Sequence, residues 1–277
     1  MTDPFLLMPS IISPMRLFFE FTYRALQRQM AYRAATLAGL GTNFFWGILR
    51  ISVITALYQG QAQVAGLSLA DAITFTGLSQ ATIGVLSLFG WYELMNSVYD
   101  GSVAMDLLKP MGYFRFWLAQ DLGRAIGQLA LRAIPMLLVF HLFFDIRLPQ
   151  SLGHWAALLA SLILGWLVSF AYRFLVNLSA FWTPNALGVG RFAFALALFT
   201  SGFMMPLRFF PDWFVRFCYA LPFPSTVNAI IETYLGVLQG PALLTALAVQ
   251  AAWAAALIGL GQVVLRLGLR RLVIAGG

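Results

Sequence analysis

Long, uninterrupted apolar runs dominate the hydrophobicity pattern of this chain. Runs of about 20 residues recur along it, which is the length a helix needs to cross about 30 Å of hydrocarbon. A membrane β-barrel would instead show short segments in which apolar and polar residues alternate. The pattern therefore predicts an all-α membrane protein with six transmembrane helices. We place them at residues 36–58, 71–95, 116–144, 154–182, 186–205 and 242–265.

A mixed segment, residues 14–33, precedes the first apolar run. Charged residues recur there every four positions on one arc, and aromatic and aliphatic residues lie off that arc. This pattern predicts an N-terminal amphipathic elbow helix in the headgroup layer. The alternative is a cytosolic leader of the first span. Residues 1–13 contain no Lys or Arg and so lack the charged region of a cleaved signal peptide.

The segment before the last span, residues 206–240, is apolar but is interrupted by proline. The breaks fall at Pro206, Pro211, Pro222 and Pro224. The two main pieces have about 11 residues each, or about 17 Å of helix, which is too short to cross the membrane. We expect a re-entrant helix pair on the outer side, with Trp213 at interfacial depth.

One loop between spans, residues 96–113, also has a helical pattern. Residues 97–108 combine apolar and acidic positions, and Pro110 provides a stop. We predict one short amphipathic helix that points into the cytosol, where a motor protein could bind it. The alternative is a connection that lies on the membrane surface.

Composition excludes a water-soluble globule. Of the 277 residues 61% are hydrophobic and 10% are charged, against roughly a quarter charged in soluble domains. Cys218 is the only cysteine, so no intrachain disulfide can form. The net charge of +7 comes from scattered basic residues that flank apolar runs, which indicates membrane topology and not binding of nucleic acid.

The distribution of basic residues predicts the orientation. With the N-terminus inside, most Lys and Arg residues, including Arg124 and Arg173, fall on the cytoplasmic side. Only Arg147, Arg208 and Arg216 fall on the opposite side. Both termini should therefore be cytoplasmic, in agreement with an even number of crossings.

Motifs for catalysis are missing from the sequence. A P-loop needs a Lys followed by Ser or Thr, but the only lysine, Lys109, is followed by Pro110. No HExxH, CxxC or GxSxG is present, and we expect His141 and His154 to be interfacial. The chain is thus expected to bind no metal or cofactor, and any ATP must be used by a partner.

Polar residues within spans are costly, so each needs a partner or a wet cavity. In the third span Asp121, Arg124, Gln128 and Arg132 form one stripe at spacings of three and four. Such residues form either a solvated translocation path or subunit seam, or internal hydrogen bonds that hold the bundle together. Candidates for the path or seam are Asn43, Arg50, Gln80, Gln128 and Arg132. Asp121 and Arg124 can alternatively form an ordinary helix-end ion pair.

The order of elements resembles the permease subunit of type-2 ABC exporters, in the branch described as drug, polysaccharide or unknown-substrate exporters. The resemblance covers nearly the whole chain. It includes the loop GSVAMDLLKP, the broken segment SGFMMPLRFFPDWFVRFCYALPFP and the basic tail LRLGLRRLVIAGG.

The resemblance implies that the loop couples to an ABC ATP-binding subunit, present in two copies, which binds ATP and Mg²⁺. The coupling residues would be Asp100, Gly101, Met105, Asp106, Leu108, Lys109 and Pro110. It also implies a second six-span permease, identical or homologous, in a bacterial inner membrane. The outer gate would be formed by the re-entrant helices, with Pro206, Pro211, Trp213, Pro222 and Pro224.

The expected function is export of an amphiphilic, lipid-like or secondary-metabolite cargo. A secondary transporter is the first alternative, and it would show inverted repeats and a buried acidic residue for ion coupling. An intramembrane lipid-modifying enzyme is the second, and it would show paired acidic or His/Ser residues within spans. Neither set of features is visible in the sequence.

Overall fold

The computed structural model describes residues 13–31 and 33–271. Predictions for the segment before residue 13 and for the tail after residue 271 lie outside these residues. The helices within them are α1 (Pro14–Ala31), α2 (Arg33–Tyr58), α3 (Leu69–Leu86), α4 (Glu93–Tyr99), α5 (Val103–Leu107), α6 (Tyr113–Gln128), α7 (Ile134–Phe143), α8 (Leu152–Asn177), α9 (Ala186–Thr200), α10 (Asp212–Tyr219), α11 (Asn228–Tyr234) and α12 (Gly240–Leu269). A two-stranded antiparallel hairpin, β1 (Gln63–Val64) and β2 (Leu67–Ser68), joins α2 to α3.

Five helical stretches among the described residues are long and apolar enough to cross a membrane. They are Ala38–Tyr58, Leu69–Leu86, Tyr113–Phe143, Leu152–Phe181 and Gly240–Leu269. The α10–α11 pair makes a sixth if it is counted as one broken span, although its two parts are bent by 78°. The prediction of an all-α membrane protein is confirmed.

Helix α9 is shorter than the predicted fifth span, 186–205. Its 15 residues rise about 22 Å, so α9 ends before a full crossing. The chain then turns at Gly202, whose φ of +84° places it in the left-handed region. Residues after this turn therefore lie within the bundle and lead into a 3₁₀ turn, Leu207–Phe209.

The largest difference from the predicted elements lies at the end of the second span. Helix α3 stops at Leu86, well before residue 95, because Ser87 adopts a left-handed conformation and Gly90 follows with φ of +113°. The prediction of one helix over 97–108 is also wrong. Two short helices, α4 and α5, are separated by Gly101, whose φ of +78° does not fit a helix.

The third span is continuous but contains a wider π-helical turn, Leu129–Ala133, between α6 and α7. Pro135 follows directly. Its nitrogen carries no hydrogen for the bond to the preceding turn and its ring crowds that turn, so the backbone widens there.

Helix α3 forms the centre of the bundle. It is the most buried of the candidate spans and packs against α2, α6, α7 and α8, while α12 runs along α8. Helix α1 packs closely on α6, where Gly123 and Gly127 leave room for its backbone and side chains. The C-terminal ends of α3 and α8 therefore meet α6 next to the α3–α4 connection, which positions the loop described below.

Candidate functional site

The loop between α4 and α6 presents two apolar side chains to solvent. Met105 is 67% exposed and Leu108 is 79% exposed. The other side of the loop is anchored, because Val103 and Asp106 are buried. We call residues 100–110 the loop knob. Its geometry offers an apolar surface on a fixed base.

Lys109 pairs with Asp106 inside the knob and contacts Phe116 of α6. Lys109 Nζ lies 2.5 Å from Asp106 Oδ1 and 3.5 Å from the centroid of the Phe116 ring. Hydrogen bonds from the hydroxyl and backbone N–H of Ser102 lower the pKa of Asp100 below its ordinary value. The Asp100 carboxylate is therefore negative at neutral pH, next to the exposed methionine and leucine.

An open cleft of about 650 Å³ lies between α1 and the knob. Arg28 crosses it, with Nη2 at 3.3 Å from Glu93 Oε2 and 3.5 Å from Gln120 Oε1. Both signs of charge line the cleft, including Arg24 and Asp106. The cleft extends the polar surface around the knob, and a partner protein that covered the knob would also face it.

A buried ionic cluster lies at the Asp121–Arg124 end of the predicted polar stripe. Asp121 is 1% exposed and accepts hydrogen bonds from Arg124 Nε at 2.7 Å and from two nitrogens of Arg173 at 2.9 Å each. Trp166 Nε1 donates a further bond at 2.8 Å. Arg173 is thus a buried residue of the bundle, 1% exposed.

Arg124 links this cluster to the end of α3. Its Nη1 and Nη2 donate to the carbonyl oxygens of Gly84 and Val85 at 2.5 and 2.9 Å. These carbonyls belong to the last turn of α3, where the Ser87 N–H also donates to the Gly84 carbonyl. Asp121 and Arg124 therefore hold three helices together and do more than form a helix-end ion pair.

Three polar residues of α8 form a second stripe that the sequence reasoning missed. Ser169, Arg173 and Asn177 recur at spacings of four on one face. Ser169 Oγ donates to the Leu86 carbonyl at 2.7 Å, and Arg173 Nε lies 3.3 Å from Ser169 Oγ. The four-residue spacing is visible in the sequence, but the count of basic residues by side uses Arg173 only as a topology signal.

Among the predicted path residues, Gln128 and Arg132 lie together on the inner part of the third span. Gln128 Nε2 donates to Gln29 Oε1 of α1 at 2.9 Å, and Arg132 Nη1 lies 3.5 Å from Gln128 Oε1. The guanidinium of Arg132 packs on Gly39 of α2, and its buried Nε has no partner within the described part of the chain.

Arg50 lies apart from that group and contacts the segment that follows α9. Its Nη2 donates to the carbonyl oxygens of Phe203 and Met204, and its Nη1 lies 3.3 Å from Ser79 Oγ. The guanidinium also lies 4.6 Å from the Phe203 ring centroid. Arg50 therefore satisfies backbone groups where α9 has ended inside the bundle. Gln80 is buried in α3 and Asn43 is half-buried on α2, so the structure does not place all five candidates together.

The outer segment consists of an exposed helix and a buried one. Trp213 on α10 is exposed, whereas Pro206 and the turn at Pro222 and Pro224 are buried. Asn228 starts α11, accepts a bond from the Leu207 N–H at 3.2 Å and donates to Tyr219 Oη at 3.1 Å.

Arg208 joins this segment to the hairpin. Arg208 Nη2 lies 3.1 Å from Glu232 Oε1, and Arg208 Nη1 donates to the Ala65 carbonyl at 3.3 Å. His154, expected to be interfacial, bonds through Nε2 to the Thr233 carbonyl at 2.6 Å. In the ranges that the structure describes, no three His, Cys, Asp or Glu residues are arranged to hold a metal ion.

These features define a multi-pass helical membrane protein with an anchored apolar knob on one connecting loop. The chain belongs to the ABC-2 family of transporter proteins, because the family model described as "ABC-2 family transporter protein" matches residues 44–276. The comparison with curated proteins finds no match. The chain is therefore the membrane component of an ABC transporter, which works with an ABC ATP-binding subunit.

Proposed function

We propose that this chain is the permease subunit of an ATP-driven exporter that moves an amphiphilic cargo, lipid-like or a secondary metabolite, out of the cytoplasm. The observation that carries the proposal is the loop knob. Met105 and Leu108 are exposed on a base anchored by Asp106, Lys109 and Phe116. Full burial of two such side chains in a groove stabilises an assembly by about 1.5–3 kcal/mol each.

The anchored base matters for transmission of force. A flexible loop could bind a partner without moving the bundle, but here Lys109 contacts the Phe116 ring of α6 and is held in place by its ion pair with Asp106 inside the knob. Gly101 and Pro110 bound the knob at either end, Gly101 with a positive φ and Pro110 as a helix stop. Motion of a bound ATP-binding subunit would therefore reach the third span directly.

The proposed complex contains two ATP-binding subunits and a second six-span permease, identical or homologous. Both termini are placed in the cytoplasm of a bacterium, with the bundle in the inner membrane. Helix α2 supports a partner surface, because Trp46 and Val53 are exposed along it. That face fits either membrane lipid or the second permease.

Arg132 supports an anionic or zwitterionic cargo. A guanidinium within a span costs about 2.5–3.5 kcal/mol on insertion scales unless it meets a partner or water. Its packing on Gly39 leaves it at the junction of α2 and α6, which is where a second subunit or a path would lie. Gln80, Gln128, Asn43 and Arg50 would contribute further polar groups along the path.

The outer helix pair is proposed as the gate on the exit side. Pro206, Pro211, Pro222 and Pro224 mark its turns, and Trp213 is its exposed aromatic residue. A cysteine at Asp212 in a Cys218→Ser background tests the orientation, because Asp212 is exposed on α10. Labelling by an impermeant maleimide from the cytoplasmic side alone would contradict the proposal.

The coupling role is tested with Met105→Glu combined with Leu108→Glu. We expect loss of copurification with the ATP-binding subunit, because two carboxylates would have to enter an apolar groove. Met15→Glu is the matched control, since Met15 lies outside the knob and is similarly exposed. Normal copurification and normal transport by the double variant would refute the assignment.

The cargo class is tested with purified permease and ATP-binding subunit in vesicles containing NBD-labelled phosphatidylglycerol. We expect ATP-dependent movement of the probe between leaflets, measured by dithionite quenching, and a strong reduction by Arg132→Leu. Arg216→Leu is the control, because Arg216 is exposed on α10. Probe movement driven by a proton gradient without ATP would favour a secondary transporter, and no movement at all would refute the lipid-like cargo.

A further inference from the structure

We infer that Asn177 is a positioning residue that joins the loop knob mechanically to α3, and this inference rests on the proposed function. Asn177 is the last residue of α8 and is fully buried. It lies next to the start of α4, the helix that leads into the knob. The segment that Asn177 positions is the non-helical connection between α3 and α4, residues 87–92.

Asn177 supplies the cap that α4 lacks in its own sequence. The residue before α4, Tyr92, makes no side-chain capping bond. Instead Asn177 Oδ1 accepts a hydrogen bond at 3.0 Å from the N–H of Met95, the third residue of α4. A cap residue normally accepts from this same N–H, so α8 performs the role from another helix.

The amide of Asn177 also fixes the end of the connection. Its Nδ2 donates to the Trp91 carbonyl at 2.7 Å and to the Arg173 carbonyl at 2.7 Å. A flipped amide would face two carbonyls with its oxygen and an N–H with its nitrogen, so the network sets its orientation. Asn177 thereby holds Trp91 and Met95 in one fixed arrangement on α8.

The other end of the connection is held by the same face of α8. Ser169 bonds the Leu86 carbonyl, and Arg173 between them bonds Asp121 of α6. The cavity that Ser87 and this face line together with α9 has a volume of only about 20 Å³, room for about one water molecule. Both ends of residues 87–92 are thus fixed to α8, although Ser87 and Gly90 have positive φ.

A mechanical consequence follows from this arrangement. Movement of the knob is transmitted through α4 to Asn177. From Asn177 it passes through Arg173 and Asp121 to Arg124 of α6, which bonds the last turn of α3. Without Asn177, the start of α4 would be released from α8, and the knob could move while α3 stayed in place. ATP hydrolysis would then continue without opening the outer helix pair.

The test measures coupling without requiring the cargo. The permease carries Asp212→Cys in a Cys218→Ser background, is assembled with its ATP-binding subunit, and is labelled with an impermeant maleimide with and without ATP. In Asn177→Leu we expect a rate of ATP hydrolysis within about twofold of the parent. The ATP-dependent change in labelling rate should be reduced about fivefold, because loss of one helix cap shifts an equilibrium by about that factor. Asn185→Leu is the matched control, because Asn185 is exposed before α9.

A conservative variant separates positioning from general stability. Asn177→Asp keeps an acceptor for the Met95 N–H but loses the bonds donated to the Trp91 and Arg173 carbonyls, so its ATP-dependent change should lie between those of the parent and Asn177→Leu. If the leucine variant does not assemble, a smaller change than the parent's with hydrolysis retained in Asn177→Asp supports the inference, and an unchanged response in Asn177→Asp overturns it. An unchanged response in Asn177→Leu, or equal losses of hydrolysis and response in both variants, would overturn the inference. Absence of any ATP-dependent change in the parent would instead refute the proposed ATP-driven gate, and the inference with it.

Discussion

Replacement of Asp121 with asparagine should destabilise the bundle more than any exposed substitution. Asp121 is the only acid in the buried cluster, and it accepts bonds from both Arg124 and Arg173. In Asp121→Asn the shape is retained but the negative charge is lost. Arg173, which is 1% exposed, then has no counter-charge in the cluster.

The size of the effect follows from the contacts. Loss of one partner from a buried ion pair costs about 3–5 kcal/mol, since the remaining charge stays desolvated. Arg124 keeps its bonds to the Gly84 and Val85 carbonyls, so we expect the lower end, about 3 kcal/mol. With about 2–4 °C per kcal/mol for a chain of this size, the melting temperature should fall by about 6–12 °C.

The measurement is thermal unfolding in detergent, followed by tryptophan fluorescence, which the 8 tryptophans make sensitive. Asp212→Asn is the control, because Asp212 is an exposed acid on α10. The double variant Asp121→Asn with Arg173→Met should recover part of the loss, since it also removes the uncompensated charge. A single variant that melts within about 2 °C of the parent, or a double variant that melts no higher than the single one, would refute this account of the cluster.

Three further predictions concern other contacts. Gly123→Val should detach α1 from α6 at a cost of about 1–3 kcal/mol, because a Cβ there would overlap the Thr22 carbonyl oxygen. We expect faster proteolysis of α1, and an unchanged rate would contradict the prediction. Arg50→Met should cost about 1–3 kcal/mol in thermal unfolding, because the Phe203 and Met204 carbonyls lose their donor. Glu232→Gln should cost about 1 kcal/mol through its pair with Arg208, and 0.5 M salt should change that difference little, since the Glu232 side chain is 6% exposed.

The sequence alone was sufficient to predict an all-α membrane protein, because a long apolar run in a membrane has few alternatives to a helix. The runs do not reveal where a helix ends inside the bundle. Helix α3 ends at Leu86, where Ser87 adopts a left-handed conformation, and its last carbonyls also bond Arg124 and Ser169, which lie on other helices. Capping over such long sequence separations leaves no local pattern, so the predicted second span continues to residue 95.

The parts of the site that depend on residues close together in sequence could be predicted, and the parts that depend on distant residues could not. The exposed pair Met105 and Leu108 follows from amphipathic spacing within one loop. Asp121 and Arg173 belong to different spans and meet only through folding, and a count of basic residues by side does not reveal that Arg173 pairs with an acid on another helix. Asn177 was overlooked for the same reason, since its partner Met95 lies on another element.

The close contact of α1 and α6 also constrains how this sequence can vary. At position 123 the obstacle to any side chain is the backbone oxygen of Thr22, which no substitution elsewhere can remove. At position 127 the nearest obstacle is the side chain of Gln29, whose Cβ would lie 2.8 Å away. A selection for second-site suppressors should therefore rescue Gly127→Ala through Gln29→Gly, the one substitution that removes this Cβ, whereas Gly123→Ala should be rescued only by changes that move or remove α1.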